Sequence, residues 1–123
     1  MRNNLARLAV PNIIALGSHE YKVFFDEREE DGDFNGSFLH RKAEILLNPN
    51  VPHHQLRVTF IHELVHAICR VYCVKLEEDD VSPLAEGITE ILTRNFGIDF
   101  VFSTTPKREY TILSKESEEN NAK

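Results

Sequence analysis

The chain has 123 residues, 41% of them hydrophobic, and a formal net charge of −6. That length supports one domain with a single core, and leaves no room for a catalytic domain plus a separate regulatory one. The longest Lys/Arg clusters are pairs, Arg41-Lys42 and Lys107-Arg108. A phosphate backbone would therefore be repelled, and nucleic acid is not expected as a partner.

The N-terminal stretch MRNNLARLAVPNIIALG has a basic start and some apolar character, but Arg7, Pro11 and Asn12 interrupt it. No run in the chain approaches the ~18 apolar residues of a membrane span, so no membrane partner and a cytoplasmic location are expected. EYKVFF (20–25) has the aromatic and β-branched content of a strand. It leads into DEREEDGD (26–33), where six acids against one arginine read as a solvated loop. DGDFNG (31–36) matches the first half of a calcium loop, but Lys42 stands where the bidentate glutamate belongs, which favours an acidic turn. Phe34–Leu39 and Ala43–Leu47 read as a strand pair turning near His40–Lys42, stopped by Asn48-Pro49; Asn35-Gly36 is an alternative turn.

From Pro52 to about Val74 the apolar spacing becomes helical: Leu56, Phe60, Ile61, Leu64, Ile68 and Val71 recur at steps of three and four. KLEEDD (75–80) reads as a loop. A second helix is expected from Ser82 as N-cap, with Pro83 in its first position, to a stop at Gly97. Strand-like patches follow at Phe100–Phe102 and Tyr110–Leu113, and the end is polar. The fold class expected is α+β, a single domain over 1–123.

The first helix contains HELVH. His62 and His66, four apart, stack on one helix face where both imidazoles can reach one cation, and Glu63 falls beside that position. Such a site needs a third protein ligand. The candidates are Cys69, Cys73, His53, His54, His40, Asp79, Asp80 and Glu86. Cys69 and Cys73 lie too far along the same rod and read as core thiols; a disulfide between them would have poor geometry. Glu86 is favoured, because it opens the second helix 20 residues after His66 with a loop long enough to bring that helix back.

HELVH followed at that distance by AEGITE resembles the gluzincin metallopeptidases, the thermolysin-type clan. The small size, acidic loop and strand pair are similar to the single-domain mini-gluzincins and ImmA/IrrE-like proteins. The resemblance covers about residues 34–96. It implies a small zincin-like domain in which a short β-sheet packs on the HExxH helix. It further implies a Zn²⁺ held by His62, His66 and Glu86, with Glu63 as general base and Glu90 orienting a zinc histidine; Glu90 stands where the family has aspartate. The activity implied is zinc-dependent peptide hydrolysis on a peptide or protein substrate. Metzincins are disfavoured, since their pattern needs Gly at 69 and His at 72, where this chain has Cys69 and Tyr72.

Tyr110, His40 and Arg94 are the hydrogen-bond donors that could share an oxyanion's charge. The resemblance also implies a tail, residues 103–123, able to block the cleft, its strand-like centre pairing with an edge strand of its own chain or, in a homodimer, of a neighbour. The competing class is a zinc-stabilised binding or regulatory module without turnover. Glu63, which is not needed to hold a metal, argues for the enzyme.

Overall fold

The computed structural model describes residues 6–27 and 34–108. Residues 31–33 of the calcium-like run, the Tyr110–Leu113 patch and the tail beyond Arg108 lie outside the described residues. The element order is β1 (Ala6–Ala9), β2 (Ile13–Leu16), β3 (His19–Phe25), β4 (Gly36–Leu39), β5 (Glu44–Leu47), α1 (His53–Tyr72), α2 (Glu78–Phe96) and β6 (Ile98–Val101). This is an α+β domain. No helix among the described residues is long and apolar enough to cross a membrane.

Strands β2, β3, β5 and β4 form one sheet in that order, with β3 and β5 parallel and the other pairs antiparallel. The β4–β5 hairpin is the expected strand pair. Its turn closes through the Ala43 N–H to the His40 carbonyl, with Ala43 in the left-handed region. β2 and β4 are the outer strands, so among the described residues one edge of β4 has no strand beside it. β1 and β6 form a separate parallel pair that the sequence reading missed. The expected Phe100–Phe102 patch is the end of β6 and the residue after it.

Period-2 alternation decides which strand residues meet α1. Tyr21, Val23, Ile45 and Leu47 are fully buried and join Leu56, Phe60, Val65 and Ala67 of α1 in one core, with Val81 and Ala85 of α2 on the far side. Being packed between a sheet and a helix, α1 buries more than one stripe. Val58, Thr59 and Glu63 are buried although they lie off the predicted apolar arc, while Ile68 and Tyr72, on or near that arc, are 44% and 57% exposed. Cys73 ends α1 in the left-handed conformation and is exposed, so it is not the core thiol expected; Cys69 is half-buried and packs against the core, and both are free.

Two polar links set α2 antiparallel to α1. Arg57 donates to Thr93 Oγ1 at 2.9 Å at one end, and Glu78 meets His62 and His66 at the other. α2 begins a full turn before the expected Ser82. Glu77 and Asp80 form a reciprocal capping box, and Glu78, Asp79 and Asp80 place acids in the first turn, where the helix dipole favours them. Pro83 is carried inside the helix at the loss of one backbone donor.

The described part of the expected tail, 103–108, lies beside β3. Phe25 N–H donates to the Pro106 carbonyl, Arg108 N–H donates to the Phe25 carbonyl, and Arg108 Nε donates to Glu44 Oε1. None of these six residues lines the cleft described below.

At Gly36, β4 passes close to α1. A Cβ there would stand 2.6 Å from Thr59 Cγ2 and 2.9 Å from the Leu46 carbonyl oxygen. Gly36→Ala is expected to cost about 1–3 kcal/mol, since backbone sits on one side of the new methyl. Gly87, inside α2, has nothing within 4 Å of its Cβ position, and Gly87→Ala should add roughly 0.5–1 kcal/mol. Chemical denaturation of both variants checks the pair.

Candidate metal centre

His62 and His66 project from α1 into a cleft of about 620 Å³ lined by Asn35–Leu39 around β4, by Gln55, Val58, Thr59 and Glu63 of α1, and by Glu78, Ser82 and Glu86 of α2. Three ligand atoms converge there. His62 Nε2 is 3.0 Å from Glu78 Oε2, His66 Nε2 is 3.1 Å from Glu78 Oε1, and the two Nε2 atoms are 3.2 Å apart. His62, His66 and Glu78 form a group that could hold a metal ion.

The donor set fits a cation on its own geometry. Two nitrogens at about 2.0–2.1 Å from one tetrahedral ion stand roughly 3.3–3.4 Å apart, close to the observed separation. With Glu78 as a carboxylate, no arrangement of protons suits all three contacts. If both Nε2 atoms carry hydrogens toward the carboxylate, the hydrogens also crowd each other; if either lacks one, its lone pair faces an anion. A cation at the centre makes every contact favourable.

Glu63 lies to one side of this group and is buried, with its carboxyl toward β4; the Cβ position at Gly36 is 3.3 Å from Glu63 Oε2. Among the described residues it has no hydrogen-bond partner. Burial first, and the nearby charge of Glu78 second, push its pKa up to about 7. Glycine at 36 thus has a second role, leaving the volume the carboxyl occupies.

Glu86, expected as the third ligand, lines the same cleft but stands outside the converging group. It lies two turns along α2 from Glu78, a rise of about 12 Å, and the carboxylate at the histidines is that of Glu78. The first turn of the second helix does place a carboxylate at the histidines, and it is Glu78 and not Glu86 because that turn starts earlier. Glu78 was hidden in KLEEDD, read as a loop. The signal that could have found it is the run of acids directly before Val81, which is in helical register with Ala85 and Thr89. Glu90 does not approach His62 and is paired with Arg94 instead. That pairing also occupies Arg94. His40 accepts from or donates to the Tyr21 hydroxyl at 3.0 Å and is not in the cleft lining. Tyr110 lies outside the described residues. His53 bonds Asp99 and His54 faces Arg57, both away from the histidine pair.

No protein family, curated protein or solved structure matches this chain.

The Glu63 shift has a thermodynamic sign. An acid whose folded pKa lies above its unfolded one gives stability that is present below the unfolded value, about 4.5, and lost as pH rises through the folded value, about 7. Metal-free protein should therefore lose stability relative to Glu63→Gln between pH 5 and pH 8, by on the order of 1–3 kcal/mol. Parallel denaturant titrations of the two proteins in chelator measure the difference; a difference that stays flat with pH would contradict the burial argument.

Proposed function

We propose that the protein is a zinc-dependent peptide-bond hydrolase, with His62, His66 and Glu78 as the metal ligands and Glu63 as the general base. The observation that carries this reading is the place of Glu63. A site built only to bind a metal has no use for a buried carboxyl that is not a ligand and has no hydrogen-bond partner among the described residues.

Zinc in this group would supply Lewis acidity, acidifying water and polarising the carbonyl to be attacked. Glu63 takes a proton from the attacking water as that oxygen bonds to the carbonyl carbon, and delivers it to the amine nitrogen as the C–N bond breaks. Its raised proton affinity suits a group that must accept and then release a proton near neutral pH. The edge of β4 that has no strand beside it among the described residues supports an extended peptide as substrate, since an edge strand's N–H and C=O groups can take up one more strand. That edge belongs to the wall of the same cleft.

Elemental analysis of protein purified without added metal should find about one zinc per chain. Glu63→Gln should retain that zinc while cleavage of a broad peptide library falls ~10²–10⁴-fold. Glu78→Ala should weaken zinc binding strongly and Glu86→Ala should leave it nearly unchanged; the reverse result would return the third-ligand role to Glu86. Zinc at full occupancy with no cleavage of any peptide would make the site a binding module.

A further inference from the structure

Beyond the residues that line the cleft, the same two elements carry on to a cationic corner. The α1 face that carries Thr59, Glu63 and His66 continues one turn further to Arg70, and β4, which walls the cleft, ends at Leu39 and turns at His40. β3 places His19 and Tyr21 behind them. Tyr21 is fully buried, with its hydroxyl 3.0 Å from His40 Nδ1. The His40 ring lies 5.2 Å from His19 and 6.1 Å from Phe38, centroid to centroid.

Arg70 is exposed and, among the described residues, has no ion pair or hydrogen bond. Its charge nevertheless reaches this corner. Burial first, then Arg70 and His19, hold the His40 imidazole below its ordinary range; burial raises the Tyr21 phenol, and Arg70 partly opposes that. No carboxylate is among the groups acting on either residue. The exposed Arg41 and Lys42 of the adjoining turn add to the same sign. In a chain of net charge −6, a corner of donors next to a cleft with no acid paired to them among the described residues is unusual, because solvated cations on an acidic protein readily find an acid.

We propose that His40 and Arg70, backed by His19 and Tyr21, form a subsite for a carboxylate of the peptide held along β4. This rests on the peptide reading above and adds its specificity. The carboxylate is an aspartate or glutamate side chain or a free chain end, since both present the same two oxygens to a guanidinium. Spacing sets the register. From Gly36, beside Glu63, to His40 is four strand residues, roughly 13 Å. From Glu63 to Arg70 along α1 is about 10 Å. A peptide residue about three positions from the cleaved bond meets the corner.

The test uses binding, so that it does not depend on turnover. Zinc-loaded Glu63→Gln protein is titrated, by fluorescence anisotropy, with a library of C-terminally amidated heptapeptides in which one glutamate is moved through every position, each matched to its glutamine counterpart. A second series ends in a free carboxylate at successive lengths. The expected result is a preference of roughly 10-fold for the carboxylate at one register, about three residues from the peptide's centre. Arg70→Gln in the same background should abolish it with zinc content and circular dichroism unchanged. Preference in the internal series assigns a side-chain carboxylate, and preference only in the free-end series assigns a chain terminus; either supports the subsite. Peptides that bind with no carboxylate preference, or a preference that survives Arg70→Gln, would overturn the subsite and leave the peptide reading standing. Absence of binding by any peptide would overturn both.

Discussion

The cleft depends on how closely β4 approaches α1 at Gly36. A strand normally keeps its distance from a helix because side chains from both must fit between them; here one side has none, and the backbone of β4 comes within methyl distance of Thr59 and of the Glu63 carboxyl. Three consequences follow from that one contact. Glu63 is sealed from bulk water on its strand side, and the buried residue acquires its shifted proton affinity. The residues of β4 are brought into the wall of the histidine cleft. The turn at the far end of β4 is carried toward the last turns of α1, where His40 meets Tyr21 and lies within reach of the Arg70 charge.

The second helix completes the site from the other side, and its geometry is set by local chemistry at its N-terminus. A reciprocal cap at Glu77 and Asp80 begins the helix early, so Glu78 falls in the first turn, directly across from His62 and His66. At the opposite end Arg57 ties α1 to Thr93 and, at 3.5 Å, to Asp99 near the start of β6. The pair of helices is therefore pinned at both ends by polar contacts, while Val81 and Ala85 supply the apolar seam between them. A shift of α2 by one residue would rotate Glu78 by about 100° and take its carboxylate away from the histidines.

Features written in local sequence were legible, and those made by distant contacts were not. α1 was readable because its apolar period is strong over five turns, and His62, Glu63 and His66 because i, i+4 spacing fixes their relation on any helix. The β4–β5 hairpin was readable from β-rich runs around a polar turn. β1 escaped notice because it is four exposed residues whose partner, β6, lies some ninety positions away. Glu78 escaped because a run of acids reads as solvated loop until its place at a helix N-terminus is known. The corner of His19, Tyr21, His40 and Arg70 is assembled from β3, the β4–β5 turn and α1, and no spacing in the sequence announces it.

Without a cation, the cleft holds two arrangements that work against the fold. The contacts among His62, His66 and Glu78 have no favourable set of protons, and Glu63 is desolvated beside the negative charge of Glu78. Either alone would be relieved by a small rearrangement: a rotamer change at the exposed Glu78, or movement of Glu63 toward solvent. The close packing of β4 at Gly36 leaves Glu63 little room on its strand side. One positive ion held by the three side chains would act in both places at once, replacing nitrogen–nitrogen crowding by coordination and offsetting the charge that disfavours ionised Glu63. Ion affinity and fold stability would then be parts of the same free energy.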